Sequence, residues 1–154
     1  MKMMPCIVEQ ANLNDVSDLI QFSEDFFSNN NFDQNQVATY LKNLIRNQQS
    51  VFVARNNSKK IIGVLLAISS GVDWRTGHKV VIEQGVYVIN TIERLDICKA
   101  LYKSLFEWAI SLGVNKIMAE AGSMNDSVIS EDDYKKFRFK SIGKVMVREV
   151  NKYV

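Results

Sequence analysis

The sequence predicts an α/β (α+β) fold in which a mixed, mostly antiparallel central sheet is flanked by helices and holds one parallel strand-helix-strand crossover. Three observations predict it. From Lys79 a run rich in β-branched and aromatic residues, Lys-Val-Val-Ile-Glu-Gln-Gly-Val-Tyr-Val-Ile, passes through Asn90 and Thr91 into a helical pattern that Gly113 ends; another apolar run follows from Val114 to Ala121. Strands joined this way lie parallel with a right-handed crossover. Upstream, Ser50 to Arg55, Lys60 to Ser69 and the run from Lys79 follow one another as antiparallel neighbours do. Finally, 154 residues with 47% apolar, 23% charged and a single Pro suit one domain, residues 1–154, around one core.

Taken in order, Pro5 to Gln10 alternates as a short first strand. Asn12-Leu13-Asn14-Asp15 supplies capping side chains for a helix carrying Val16, Leu19, Ile20, Phe22, Phe26 and Phe27, which ends in Ser28-Asn29-Asn30-Asn31. Asp33 with Gln36 has capping-box spacing, and Val37, Tyr40, Leu41, Leu44 and Ile45 follow at helical intervals. Asn56-Asn57-Ser58-Lys59 reads as a hairpin turn between the next two strands. A long loop, Ser70 to His78, exposes Trp74. The helix after it places Ile97, Leu101, Leu105, Trp108 and Leu112 on one side, flanked by Cys98, Tyr102 and Ala109. Beyond Ala121 come a polar stretch, Gly122 to Ser127, a short acidic-to-basic helix, Ser130 to Phe137, and a last strand or pair of strands, Phe139 to Tyr153, with its break at Gly143.

Composition excludes several functions. A net charge of +2 from interspersed signs, with no basic block, argues against nucleic acid or an acidic membrane as a partner. Cys6 and Cys98 lie far apart and there is one His, so neither a metal site nor a disulfide framework is expected, and a reducing, cytoplasmic compartment fits. No run approaches the roughly 18 apolar residues of a membrane span, and the start of the chain reads as a strand rather than a signal core.

Chemistry concentrates between Lys79 and Gly113. A helix that opens directly after a strand presents unpaired backbone N–H groups and about half a positive charge, a site suited to an anion. Glu83 is an acid inside an apolar strand: buried, its pKa rises toward that of a useful base, whereas on the open face of the sheet it is solvated or paired with Lys or Arg. Gly85 marks either a bulge or a close-packed position. Glu93 and Asp96 complement the positive helix end. Cys98 reads as a small buried residue rather than a nucleophile, and Trp74, Arg75 and His78 share an exposed loop.

Over essentially its whole length the element order resembles the GNAT superfamily of acetyl-CoA-dependent N-acetyltransferases. Tyr134-Lys135-Lys136-Phe137-Arg138-Phe139-Lys140 is similar to the family's Tyr-x-Lys-x-Gly-Phe apart from Arg138 in the place of Gly. The strand, turn and helix around Val88 to Leu101 correspond to the pyrophosphate loop, Gln/Arg-x-x-Gly-x-Gly/Ala, in a degenerate form: Glu93, Asp96 and Cys98 stand where the family has Gln or Arg, Gly, and Gly or Ala. A carboxylate about 5 Å from the pyrophosphate, at an effective dielectric near 20, would cost roughly 3 kcal/mol per phosphate charge, so Asp96 must turn outward.

The resemblance implies a GNAT-like acyltransferase fold with acetyl-CoA as co-substrate between the strand ending at Ile89 and the strand Val114 to Ala121. Val88 and Ile89 would hold the pantetheine through their backbone, and Glu93, Arg94, Leu95, Asp96, Ile97 and Cys98 would surround the pyrophosphate. Asn125 would contact the pantetheine if a small insertion is assumed; Asx-turn chemistry explains it equally well. Glu83 falls where histone-type members carry a general base. Tyr134 falls on the tyrosine that protonates the departing thiolate, so its hydroxyl is expected to face the thioester end of the cleft; a core edge residue is the plainer alternative. In this fold the Trp74 loop lies near the acceptor, an amine-bearing small molecule or a protein N-terminus or lysine. A homodimer is compatible with the sequence. The competing function is a catalytically inactive GNAT-fold binding or assembly module, for which the missing loop glycines speak.

Overall fold

Residues 6–27, 32–120, 129–146, 148 and 150 are described by a computed structural model. The alternating and β-branched runs form one sheet in the order β1 (Ile7–Gln10), β2 (Val51–Arg55), β3 (Ile61–Val72), β4 (Lys79–Val88) and β5 (Lys116–Met118), antiparallel except for the β4–β5 pair. Among the described residues four α-helices cover it: α1 (Val16–Phe26), α2 (Gln34–Asn47), α3 (Arg94–Ser111) and α4 (Glu131–Lys136). Their starts follow the capping side chains. Asn12 and Asp15 form a capping box over a short 3₁₀ turn, Asp33 accepts from the N–H groups of Asn35 and Gln36, and Ser130 and Asp133 form the box of α4. Gly113, with φ +72, closes the end of α3.

The helices divide between the two faces of the sheet. Val16, Leu19 and Phe22 of α1 and Leu41, Leu44 and Ile45 of α2 pack with Val51, Val53, Ile61 and Val64. On the other face Ile97, Leu101, Leu105 and Trp108 of α3 pack with Phe52, Leu65, Val81, Val86 and Val88. Close approach of α3 depends on Gly63 of β3: a Cβ there would lie 3.0 Å from Ile97 Cγ2, 3.2 Å from Leu101 Cδ1 and 3.3 Å from Val88 Cγ2.

In β4, Val81 and Glu83 face α3, and so do Val86 and Val88, although the two pairs differ in parity. A bulge reconciles them. Leu66 of β3 pairs with Gly85 and Ala67 with Glu83, leaving Gln84 as the extra residue. Gly85, at φ 156, is required at the bulge because a Cβ would lie 2.5 Å from the Tyr87 hydroxyl oxygen. Gly85 is thus both at the bulge and close-packed against Tyr87.

Several boundaries differ from expectation. β5 is three residues long, shorter than the run from Val114 to Ala121, and residues 121–128 lie outside the described part. Among the described residues from Phe139 onward none is a strand. The chain instead turns back: Arg138 N–H donates to the Lys135 carbonyl at 3.0 Å and Phe139 N–H to the Tyr134 carbonyl at 3.1 Å, which closes α4 and lays Phe139 on the aromatic side chains beneath it. Tyr40 is 43% exposed rather than core, because its hydroxyl reaches Gln84 on the bulge.

Arg138 makes this turn with φ +67, a left-handed conformation in which a Cβ is crowded, and it does so at the position where the resembling motif carries Gly. The expected result of Arg138→Gly is a more stable protein, by about 0.5–1 kcal/mol in urea unfolding. A variant no more stable than the parent would show that the arginine side chain offsets its backbone strain.

Candidate active site

Glu83 lies at the centre of β4, 2% exposed, and its two carboxylate oxygens are each bound by a phenol. Tyr134 of α4 donates to Oε2 at 2.7 Å, and Tyr102 of α3 donates to Oε1 in a short hydrogen bond. Local sequence explains the meeting. Arg94, Cys98 and Tyr102 recur every fourth residue and make one stripe of α3 over this part of the sheet. The Ser130–Asp133 box fixes the start of α4 so that Tyr134, the next residue, points inward. Aromatic rings wall the carboxylate in: Tyr102 lies 5.0 Å from Phe137 and 5.6 Å from Phe139 between centroids, and Tyr134 meets Phe139 edge-on at 5.4 Å.

The electrostatics follow from enclosure. Burial raises the Glu83 pKa, and the hydrogen bonds from Tyr102 and Tyr134 reduce that rise without cancelling it. Burial, with the Glu83 charge next, raises both phenols, so each keeps its proton. Burial pushes the Cys98 thiol up to about 12, making it an inert, packed side chain. At the upper end of the stripe the Arg94 guanidinium lies 3.3 Å from Asp133 Oδ2. Burial would raise Asp133, but hydrogen bonds from Ser130 and the charge of Arg94 outweigh it and hold the carboxyl below its usual range. The group as a whole is a proton acceptor hydrogen-bonded to proton donors in a dry setting.

The residues expected at the site are thus partly brought together. Glu83 and Tyr134 meet directly. Glu83 is neither solvated nor paired with Lys or Arg on an open face, because α3 and α4 cover it. The Tyr134 hydroxyl faces inward onto Glu83: a buried phenol needs a partner, and the carboxylate supplies it. Val88 ends β4 with its side chain in the core, and the Ile89 N–H donates to the Ile62 carbonyl at 3.0 Å. Ile97 and Cys98 are likewise core side chains, so only their backbone faces the helix start. Glu93 occupies the cap position of α3 without a side-chain capping bond, Leu95 is half-buried, and Asp96 is exposed. Asn125 lies outside the described residues. Trp74, 90% exposed, Arg75 and His78 sit on the hairpin between β3 and β4, at the end of β4 away from the turn into α3, where Arg75 pairs with Asp73 at 3.2 Å.

Tyr102 was not among the expected site residues. A tyrosine on the apolar stripe of a helix was the available signal, since its hydroxyl must find a partner in the core and Glu83 is the acid that the preceding strand buries. Arg94 was expected among the residues around the pyrophosphate, and its side chain reaches Asp133. Among the described residues no group of three or more His, Cys, Asp or Glu could hold a metal ion, and no helix is long and apolar enough to cross a membrane.

A carboxyl whose pKa is higher in the folded than in the unfolded chain stabilises the fold fully below the unfolded value, and loses that contribution as pH rises through the folded one. For Glu83, whose ordinary value is 4.5, the stability of the parent relative to Glu83→Gln is therefore expected to fall as pH climbs from about 4.5, by at most about 1.4 kcal/mol per unit. Tyr102→Phe removes a donor to the charged form and extends the fall to higher pH. Urea titrations across pH measure both; a parent-minus-Gln difference that is flat with pH contradicts the raised value.

A sequence profile described as the acetyltransferase (GNAT) family matches residues 16–139. No curated protein matches the chain. Solved structures do. An aminoglycoside antibiotic 6'-N-acetyltransferase from Acinetobacter baumannii superposes with a TM-score of 0.76 at 16% identity, over 96% of this chain and 99% of its own. A predicted acetyltransferase with acetyl-CoA from Clostridium acetobutylicum gives 0.72 at 19% identity, over 94% and 96%. A ribosomal-protein-alanine N-acetyltransferase from Brucella melitensis gives 0.64 at 16%, over 96% and 99%. These identities establish a shared fold, and the profile match over most of the length establishes more: the chain belongs to the GNAT family of acetyltransferases.

Proposed function

We propose that this protein transfers an acetyl group from acetyl-CoA to a primary amine by direct attack of the amine on the thioester. The observation that carries the reading is the 2.7 Å hydrogen bond between Glu83 on the bulged strand and Tyr134 on α4, just past the last β4–β5 pair at Ile82–Met118. The ammonium first gives up one proton to water; Glu83, its pKa raised by burial, takes the second from the amine nitrogen as that nitrogen forms its bond to the acetyl carbon and the carbon–sulfur bond breaks, and Tyr134 gives its proton to the sulfur. The proton taken by Glu83 then refills Tyr134 along the same hydrogen bond. The net result is an amide and a free thiol.

The donor set fits the CoA group. The positive end of an 18-residue helix, with the Leu95 N–H in its first turn, and the Arg94 guanidinium suit a diphosphate, while the carboxylates of Glu93 and Asp96 oppose it. The backbone of Val88 would hold the pantetheine; at Ile89 the N–H is already given to the Ile62 carbonyl and the carbonyl accepts from Thr91. The relative bound to acetyl-CoA supports this donor, and the aminoglycoside and ribosomal-protein enzymes support an amine acceptor on a small molecule or on a protein N-terminus or lysine.

A second reading, a family member that binds CoA without transferring acetyl, is favoured by Asp96 and Cys98 standing where the family pattern has small residues. Thiol release from acetyl-CoA with a polyamine, an aminoglycoside and an N-terminal peptide as acceptors separates the two. Turnover with at least one amine is expected, and Tyr134→Phe should lower it about ten- to a thousandfold with little change in CoA affinity. CoA binding with no thiol release supports the second reading, and a Phe variant as fast as the parent removes Tyr134 from the chemistry.

A further inference from the structure

Strands β3 and β4 outrun the sheet that holds them. The β2–β3 ladder ends at Val51–Leu66 and β5 meets β4 from Val80 onward, yet β3 and β4 stay paired out to Val72–Lys79. Residues 70–79 thus form an arm that leaves the body at the end of β4 opposite the turn into α3. A two-stranded ribbon alone is marginal in water, so the order of its tip needs a cause. Asp73 supplies it. Its N–H donates to the His78 carbonyl at 2.8 Å, its carbonyl accepts from the Gly77 N–H at 2.8 Å, and its carboxylate accepts from the Arg75 N–H at 2.9 Å and from the Arg75 guanidinium at 3.2 Å. The acid is folded in, its side chain 13% exposed, while Trp74 beside it is turned outward and Val72 is 59% exposed.

The charge left on the arm has one sign. Asp73 is its one acid and is matched by Arg75, which leaves Lys79 and, opposite Val80 on the neighbouring strand, Lys116, both exposed. Such a surface repels a polyamine, an aminoglycoside or a second copy of itself, and it attracts carboxylates. A tryptophan held bare on an ordered tip beside cations is the kind of anchor on which protein interfaces turn. With a net charge of +2 and no basic block, the chain lacks the field that nucleic acid requires. We propose that the arm of residues 70–79 is a docking surface for an acidic segment of a partner protein, with Trp74 as its apolar anchor and Lys79 and Lys116 as its charge partners. Lys79 lies four residues from Glu83 in β4, about 13 Å of extended strand, so a short peptide spans the two. Resting on the acetyl transfer inferred above, the arm makes the acceptor a protein amine rather than a free polycation.

Trp108 is buried, so the fluorescence of water-exposed tryptophan reports Trp74. The whole chain is titrated with a peptide of Asp, Glu and Ala that has a free N-terminus, and with its counterpart carrying Asn and Gln for the acids. The acidic peptide should blue-shift the Trp74 emission and shield it from acrylamide, with an affinity that falls as salt rises, and the amide peptide should do neither. Trp74→Ala and Lys79→Glu, both at exposed positions, should weaken binding in calorimetry about tenfold or more with the melting temperature unchanged. In thiol release from acetyl-CoA the acidic peptide should exceed the amide peptide about tenfold in kcat/KM, and Lys79→Glu should erase that preference. Equal binding of the two peptides, tighter binding of poly(U) RNA, or a dimer that Trp74→Ala dissolves in sedimentation overturns the docking assignment. Binding of the acidic peptide with no thiol release from any amine supports the arm and overturns the acetyl-transfer reading alone.

Discussion

A buried carboxylate governs how the second half of this protein assembles. Glu83 sits in a strand whose neighbours are Val, Ile and Gly, and a charge there without partners would cost several kcal/mol. Its two oxygens are satisfied by phenols from two different helices. Neither α3 nor α4 can turn about its axis without stranding an oxygen, so the carboxylate specifies the relative setting of three elements that apolar packing alone would leave free to slide. The aromatic rings of Tyr102, Tyr134, Phe137 and Phe139 add area and exclude water, which strengthens both bonds.

The bulge makes that carboxylate compatible with the rest of β4. Without an extra residue at Gln84, one face of the strand could not present Val81 and Glu83 together with Val86 and Val88. One turn in the strand thus lets a polar centre and an apolar core share the underside of α3. It also gives Gln84 to the opposite face, where Tyr40 reaches it from α2, so the site is tied through the sheet to the helices on its far side.

Much of this was legible in the sequence because it is written in local patterns. The amphipathic stripe of α3, the strand before it and the Gly113 end follow from residue type and spacing, and so did the parallel crossover. Gly85 announced an irregularity in β4. What could not be read was direction. Sequence marks Glu83 and Tyr134 as chemically capable but not that they face each other, since a separation of 51 positions places no constraint on pairing until the fold brings β4 and α4 together. The last strand or pair of strands expected from Phe139 to Tyr153 is not seen among the described residues there, where Ile142, Val145 and Met146 are 75%, 52% and 88% exposed and so lack a face to pack against.

Gly63 extends the reach of the site in a genetic sense. It lies on β3, remote in sequence from Glu83, and contributes no functional group, yet it is the notch into which Ile97 and Leu101 settle. An added Cβ would make Ile97 and Leu101 give by a few tenths of an ångström, and a β-branched side chain would press harder on α3, which carries Arg94 at its tip and Tyr102 two turns along. Inactivating variation is therefore not confined to the residues that touch protons. A valine arising at this position would act on the site through α3, and a survey of variants that scored only polar side chains would miss it.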